Sequence, residues 1–401
     1  MSETITPVAS PSRRSLHEAP VVASRSRRGG GLSLAKQLSR IDWDFSGNKP
    51  DSAVQALHPY PAKFISAIPR SLLEILPIPP GTTVFDPFCG SGTTLVECQR
   101  LGIASLGVDL NPIACLISRV KTDPLPKGVS NAICEVLDAA KRNRTSKIPN
   151  IPNLDHWFPE AIQRPIVALT DAIAAARKSH RDILRLALSS ILVRISNQES
   201  DTRYAAIHKD ISRDDVFALF ERSARRSVEA LEKRDYPLTE AAVIEADVLE
   251  LKPKRIERRI GAVITSPPYP NAYEYWLYHK YRMWWLGFDP IAVKEREIGA
   301  RAHFFKRDRH TAEDFTLQMT KTLRLIRSVV VPGGYACFVV GRSKIHGEVV
   351  DNAKTLREVG ATVGFRLIFE TERTLRPNRK SFNLSHANIK TETILVLERD
   401  R

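Results

Sequence analysis

Short runs of apolar and β-branched residues recur along the chain, each bounded by glycine, proline or an acid, and they fall into two groups. In the first group, Thr83-Val84-Phe85-Asp86 leads through a glycine-containing turn into Thr94-Leu95-Val96-Glu97-Cys98-Gln99-Arg100-Leu101, whose apolar positions follow a helical period. Gly102 ends that helix, and Ala104-Ser105-Leu106-Gly107-Val108-Asp109 reads as the next strand of a βαβ unit. The second group holds Ala242-Val243-Ile244-Glu245-Ala246-Asp247, Gly261-Ala262-Val263-Ile264-Thr265, Tyr335-Ala336-Cys337-Phe338-Val339-Val340, Phe365-Arg366-Leu367-Ile368-Phe369-Glu370 and Thr393-Ile394-Leu395-Val396-Leu397. Between about 123 and 238 strand patterns nearly vanish, and stretches such as 166–173 and 216–220 carry helical periods instead. Seven strands alternating with helices, on either side of one helical block, predict a three-layer α/β fold.

Composition adds little to the fold but bears on partners. The chain has 401 residues, 43% hydrophobic and 26% charged, close to an ordinary globular protein. Its net charge of +15 points to an anionic partner such as nucleic acid. Part of that excess lies in the first 40 residues, where seven Lys/Arg face two acids, and about +10 remains for the rest. Residues 1–38, rich in Ser, Arg and Gly and without a hydrophobic period, read as a disordered basic arm. Five cysteines, an odd number without paired or metal-ligand spacing, argue against a disulfide framework or a structural zinc site and fit a reducing cytoplasm; no metal is expected. No apolar run reaches the roughly 18 residues of a membrane span.

Asp86-Pro87-Phe88-Cys89-Gly90-Ser91-Gly92-Thr93-Thr94 sits between a strand and a helix, where glycines let backbone N–H groups approach a bound cofactor. A Walker loop needs Gly-Lys-Ser/Thr at its end, and the dinucleotide fingerprint needs a third glycine where this chain has Thr93, Thr94 and Leu95. The segment resembles motif I of the S-adenosylmethionine-dependent DNA amino-methyltransferases, residue for residue over 86–94. The resemblance implies a Rossmann-like seven-stranded methyltransferase sheet whose last strand is antiparallel. It implies that Asp86, Phe88 and the loop Gly90, Ser91, Gly92 and Thr93 hold S-adenosylmethionine, that Asp109 accepts from its ribose hydroxyls, and that Asp247 contacts the adenine amino group. A helix N-cap ahead of Pro112 is the structural alternative for Asp109, and a plain strand end that for Asp247. Upstream, His58-Pro59-Tyr60-Pro61-Ala62-Lys63-Phe64 is similar to motif X, with Lys63 placed for the cofactor carboxylate and Phe64 for the pocket wall; a rigid turn before a core helix is the alternative.

Thr265-Ser266-Pro267-Pro268-Tyr269 follows the apolar strand pattern ending at Ile264. Two prolines there remove two N–H donors, so the backbone can only accept, as an enzyme holding the exocyclic amine of a base requires. Tyr269 offers a stacking face for a flipped base. The tetrapeptide resembles motif IV of the amino-methyltransferases, and Ser in first place is similar to the N4-cytosine subgroup. The resemblance implies that Ser266 and the Pro267 carbonyl orient the target amine, with Pro268 and Tyr269 completing the site, for direct attack on the sulfonium methyl. The alternatives are N6-adenine or RNA base methylation and, outside the enzymes, an inactive cofactor-binding DNA-binding regulator. C5-cytosine methylation needs a Pro-Cys pair, and the chain has none.

The motif order divides the chain into a cofactor-binding half at 39–122, a helical insertion at 123–240 that is the expected target-recognition region, and a catalytic half at 241–401. The expected partner is double-stranded DNA with the target base flipped out, alongside a possible separate restriction endonuclease. Lys141, Arg142, Arg144 and Lys147 form one basic cluster in the insertion and Arg222, Arg225 and Arg226 another; each serves phosphate contacts or a solvated helix face. Arg301, His303, Phe304, Phe305, Lys306, Arg307 and Arg309 read as a basic and aromatic loop for gripping DNA. The aromatic residues among 273–285 are expected to pack their helix against the sheet, and the polar stretch Asn197 to Tyr204 to lie near the site.

Overall fold

The computed structural model describes residues 32–45, 52–143, 147–201, 203, 205–270, 273–305, 309–375 and 391–401. Nine strands occur among them: β1 (Thr83–Asp86), β2 (Ser105–Asp109), β3 (Ala241–Glu245), β4 (Ile260–Thr265), β5 (Val330–Gly341), β6 (Ser343–Ile345), β7 (Glu348–Val350), β8 (Phe365–Thr374) and β9 (Thr391–Arg399). Seven form one sheet in the order β3-β2-β1-β4-β5-β9-β8. All neighbours are parallel except that β9 runs antiparallel to both β5 and β8. This is the Rossmann-like methyltransferase sheet, and all seven sequence-predicted strands lie in it.

The strand pleat explains its two buried faces. Phe85, Val263, Phe338 and Leu395 project into one apolar layer, whereas Val84, Ile264, Cys337 and Val396 project into the other. Strand order reverses between β1 and β4, so their C-terminal ends open onto a crevice. The remaining pair, β6 and β7, is a hairpin missed by the sequence pattern. Its turn residues His346 and Gly347 both have positive φ, at 50° and 95°, the backbone a two-residue type I′ turn demands.

Between β2 and β3 the regular structure is helical: Pro112–Thr122, Val129–Arg142, Leu154–Trp157, Glu160–Ala175, Lys178–Ile195 and Arg213–Glu232. These helices bury a third core of their own. Trp276, Tyr281, Met283 and Trp285 of the helix Tyr275–Trp285 belong to that core, so this aromatic helix packs on the helical block rather than on the sheet as expected. Its rings share that core with apolar residues of Glu160–Ala175 and Lys178–Ile195, and Phe158 meets both Tyr281 and Trp285 edge-on.

Three further expectations fare differently. The helix Leu34–Leu38, with Leu38 buried, falls inside the segment read as an arm, whose residues 1–31 lie outside the described residues. Arg301–Phe305 is a short helix with His303 and Phe304 buried, not a loop; Lys306 and Arg307 lie outside the described residues, as do Arg144, Thr202 and Tyr204. No described helix is long and apolar enough to cross a membrane.

The two basic clusters lie on neighbouring helices. The Arg213 guanidinium donates to the Lys141 carbonyl at 2.9 Å, and Arg225 reaches Cys134 Sγ at 3.7 Å, so Val129–Arg142 and Arg213–Glu232 run side by side in opposite directions. Lys141, Arg142, Arg222, Arg225 and Arg226 are all exposed, although Arg225 is paired with Glu221.

Candidate active site

Asp86 ends β1, and its carboxylate is gripped from β4. Thr265 Oγ1 donates to Asp86 Oδ1 at 2.6 Å, and the Phe88 N–H donates to the same oxygen at 3.1 Å. Burial pushes the Asp86 carboxyl up to about 6, against the pull of those donors. Asp109 ends β2 and is likewise pushed up to about 6 by burial. Its Oδ2 accepts from the Gly90 N–H and its Oδ1 from the Asn111 N–H, both at 2.8 Å. The N-cap of Pro112–Thr122 is Asn111, which accepts from the Ile113 N–H, so the capping alternative for Asp109 is excluded.

The glycine loop between β1 and the helix Thr93–Arg100 is held by that neighbouring helix. Ser118 Oγ donates to the Gly90 carbonyl at 2.8 Å, and the fully buried Lys121 Nζ donates to the Ser91 carbonyl at 2.7 Å. Gly92 has φ of +76°, and a Cβ there would stand 3.0 Å from Ser118 Cα. Gly92→Ala is therefore expected to destabilise the fold by about 1–3 kcal/mol, measured as a lowered urea midpoint at unchanged m-value.

At the end of β4 the Ser266 hydroxyl donates to the Val339 carbonyl at 3.0 Å. With its proton committed there, the oxygen presents only lone pairs elsewhere. Tyr269 is buried, its hydroxyl bonded to the Gly341 main chain and its ring set in the apolar layer that holds Phe338. The turn is pinned closely on its far side: a Cβ at Gly299 (φ +75°) would meet the Tyr269 carbonyl at 2.8 Å.

These pieces converge on one cavity at the crevice, enclosing about 880 Å³ of atom-free space, part of it open to solvent. Lys63, Phe64, Asp86, Phe88, Gly90, Ser91, Thr93, Asp109 and Asp247 border it, as do Ser266 and Pro268. Gly92, Pro267 and Tyr269 do not. Lys63 Nζ donates to the Gln55 carbonyl at 2.5 Å, and Asp247, half-buried, accepts from the Leu249 N–H at 2.9 Å. The wall also takes Tyr60, Asn111, Tyr275, Arg296 and Glu297, which the sequence reading did not single out for it. Tyr60 and Tyr275 stack at 5.7 Å. Tyr60 stood inside the segment similar to motif X and was within reach of sequence reasoning; Arg296 ends the helix Pro290–Arg296 and Glu297 follows it, with no motif around them.

The cavity suits S-adenosylmethionine. It offers carboxylates for a ribose diol and an adenine amine, a loop whose Gly90 lets the main chain come close, and a cation in Lys63.

Comparison with known proteins agrees. Residues 25–119 match the family described as DNA methylase, of the N6 and N4 type. The type II methyltransferase M.BsoBI of Geobacillus stearothermophilus is 25% identical over 272 residues, covering 59% of this chain and 53% of that protein. M.MvaI of Kocuria varians is 33% identical over 118 residues, 26% of each chain, and M.MjaII of Methanocaldococcus jannaschii is 40% identical over 87 residues, 20% of this chain and 16% of that one. The matched regions thus span about half of the first relative and less of the others. With motif I on β1, the Ser-Pro-Pro-Tyr turn after β4 and both opening on one crevice, the matched regions are similar to those of DNA amino-methyltransferases.

Proposed function

We propose that this protein transfers the methyl group of S-adenosylmethionine to the exocyclic N4 of a cytosine flipped out of double-stranded DNA. The observation that carries the reading is that Ser266 and Pro268 border the same cavity as Asp86, Asp109 and Asp247. When bound, the cofactor supplies an electrophilic methyl on sulfonium. Asp109 accepts from the ribose hydroxyls, Asp247 from the adenine amine, and Lys63 pairs with the cofactor carboxylate. Ser266, its own proton directed at Val339, accepts one N–H of the target amine, and a main-chain carbonyl of the Ser266–Pro268 turn accepts the other. Those two acceptors turn the nitrogen lone pair toward the methyl, and alignment supplies most of the rate. Tyr269, anchored to Gly341, is a positioning residue that ties the turn to the end of β5. The exposed basic residues on Val129–Arg142 and Arg213–Glu232 contact phosphates, which makes the helical block the target-recognition region.

Incubation with methyl-labelled cofactor and DNA, followed by digestion to nucleosides, tests the reading. Label is expected in N4-methyl-2′-deoxycytidine. Label in N6-methyl-2′-deoxyadenosine would move the target to adenine, and cofactor binding without transfer to any nucleic acid would favour a regulator. Ser266→Ala is expected to lower kcat by about 100-fold, on the order of one hydrogen bond made in the transition state, while cofactor affinity changes less than threefold.

A further inference from the structure

From its place in the turn, Tyr269 is expected to offer a stacking face to the target base, and the fold takes that face away. Its ring is set in the apolar layer around Phe338 and does not border the cavity. Four other aromatic rings do: Tyr60, Phe64, Phe88 and Tyr275. Three of them are engaged elsewhere. Phe64 packs on the layer that holds Val84 and Ile264, and Phe88 on the opposite layer, beside the Asp86 carboxylate that its N–H serves. Tyr60 lies against the glycine loop, where a Cβ at Gly90 would come within 3.3 Å of its ring.

Tyr275 stands on the side of the catalytic turn. It follows Tyr269 by six positions and opens the helix Tyr275–Trp285. One short segment holds both residues. Glu297 accepts the Tyr275 and Trp276 N–H groups at 2.9 and 2.7 Å, and two positions on, Gly299 packs so closely on the turn that a Cβ there would meet the Tyr269 carbonyl. Main-chain contacts therefore fix where Tyr275 stands relative to Ser266 and Pro268. The ring is fixed as well. Tyr60 stacks on it at 5.7 Å with 27° between the planes, and stacks at 5.2 Å on His279, one turn further along the same helix, so Tyr60 lies along the helix surface behind both. Tyr273 meets the Tyr275 ring tilted, at 5.0 Å and 56°. Half-buried among these neighbours, Tyr275 turns what remains exposed to the cavity that Ser266 and Pro268 also border. An aromatic ring already held in place gives up little freedom when a flat partner settles on it.

The geometry points to Tyr275 as the residue on which the target cytosine stacks after leaving the duplex, with Tyr60 as the ring behind it. Stacking holds the plane of the base, while Ser266 and a carbonyl of the turn hold its amine. Together the two sets of contacts fix the nitrogen relative to the methyl donor. An aromatic face accepts any base, so the choice of base is left to the hydrogen-bonding groups. This inference rests on the target-base reading above and moves the stacking role from Tyr269 to a residue outside the Ser-Pro-Pro-Tyr turn.

Photocrosslinking of the full chain to duplex DNA in which 5-iodocytosine replaces cytosine, with S-adenosylhomocysteine present, tests it on the unmodified protein. Near-ultraviolet light breaks the carbon–iodine bond and joins the base to an aromatic ring in contact with it, and peptide mass spectrometry is expected to find the crosslink on Tyr275. A crosslink on Tyr269, or none on Tyr275, would overturn the proposal. In parallel, Tyr275→Leu is expected to lower kcat/KM for DNA on the order of 30-fold, with cofactor affinity changed by less than about threefold, and Tyr275→Phe, which keeps the ring, to recover most of that loss. A folded Tyr275→Leu variant with full activity, or a Tyr275→Phe variant as slow as Tyr275→Leu, would count equally against it. The labelled-nucleoside assay keeps the two readings apart: without label in N4-methyl-2′-deoxycytidine the cytosine reading fails, and this proposal with it.

Discussion

Arg282→Ala is expected to destabilise the protein by about 3 kcal/mol, read as a lowered midpoint in urea or on heating. Arg282 is 1% exposed, among the largest fully buried side chains among the described residues. Its Nε donates to the Ser189 carbonyl and its Nη1 to the Tyr278 carbonyl, each at 3.0 Å, and its Nη2 pairs with Asp201. One guanidinium thus ties Lys178–Ile195, Tyr275–Trp285 and the loop after Ile195 together. Truncation would remove the side-chain donor to two carbonyls that otherwise serve only their own helices, leave a void in place of a fully buried side chain, and take from Asp201 its guanidinium partner. Asp201 is about one-third exposed, so water screens part of that loss, which places the effect at the lower end for a broken buried pair. Asp201→Asn is expected to cost less, because the carbonyl bonds remain.

The same cluster predicts the acid side of the stability curve. His58 and His279 are buried beside Arg282, and desolvation first, with the Arg282 charge second, holds both well below 6.5. The unfolded chain takes up protons below about 6.5 that the folded protein refuses. The stability these two neutral rings contribute is therefore full above that pH and is lost as pH falls below it.

Asp109→Ala is expected to weaken S-adenosylmethionine binding by about 100-fold, measured by calorimetric titration, with a smaller effect on kcat. Two lost hydrogen bonds to a charged acceptor, at about 1.5 kcal/mol each, give that factor. Both Asp109 oxygens already accept a backbone N–H, so each keeps a lone pair for the ribose diol and the carboxylate also anchors the glycine loop through Gly90. Asp109→Asn retains one acceptor and is expected to cost about tenfold. Since Asp109 and Asp86 are both pushed up to about 6, acidification through that value protonates the acceptors a cationic ligand needs. Cofactor affinity is expected to fall as pH drops from 7 to 5, and in Asp109→Ala the remaining fall is that due to Asp86.

The chain's own order determined the strands, the glycine loop and the Ser-Pro-Pro-Tyr turn, because each is built from neighbours. A buried strand between helical layers needs only a run of apolar residues, and a cofactor loop needs glycines between a strand and a helix within about ten positions. Hence all seven strands of the main sheet and most of the cavity's motif residues were legible. What the tertiary structure alone decided is what distant segments do to one another. Asp86 is gripped by Thr265, 179 positions away, and Arg282 by Asp201, 81 away, and no period or motif links them. Tyr269 was legible as an aromatic residue in a catalytic turn, but only the packing of β4 beside β5 sends its ring into the core and its hydroxyl to Gly341. Glu297 carries no local signal at all. It reaches the cavity because the helix before it folds back onto Tyr275–Trp285, whose free N–H groups draw in a carboxylate, a need that exists only once the two helices meet.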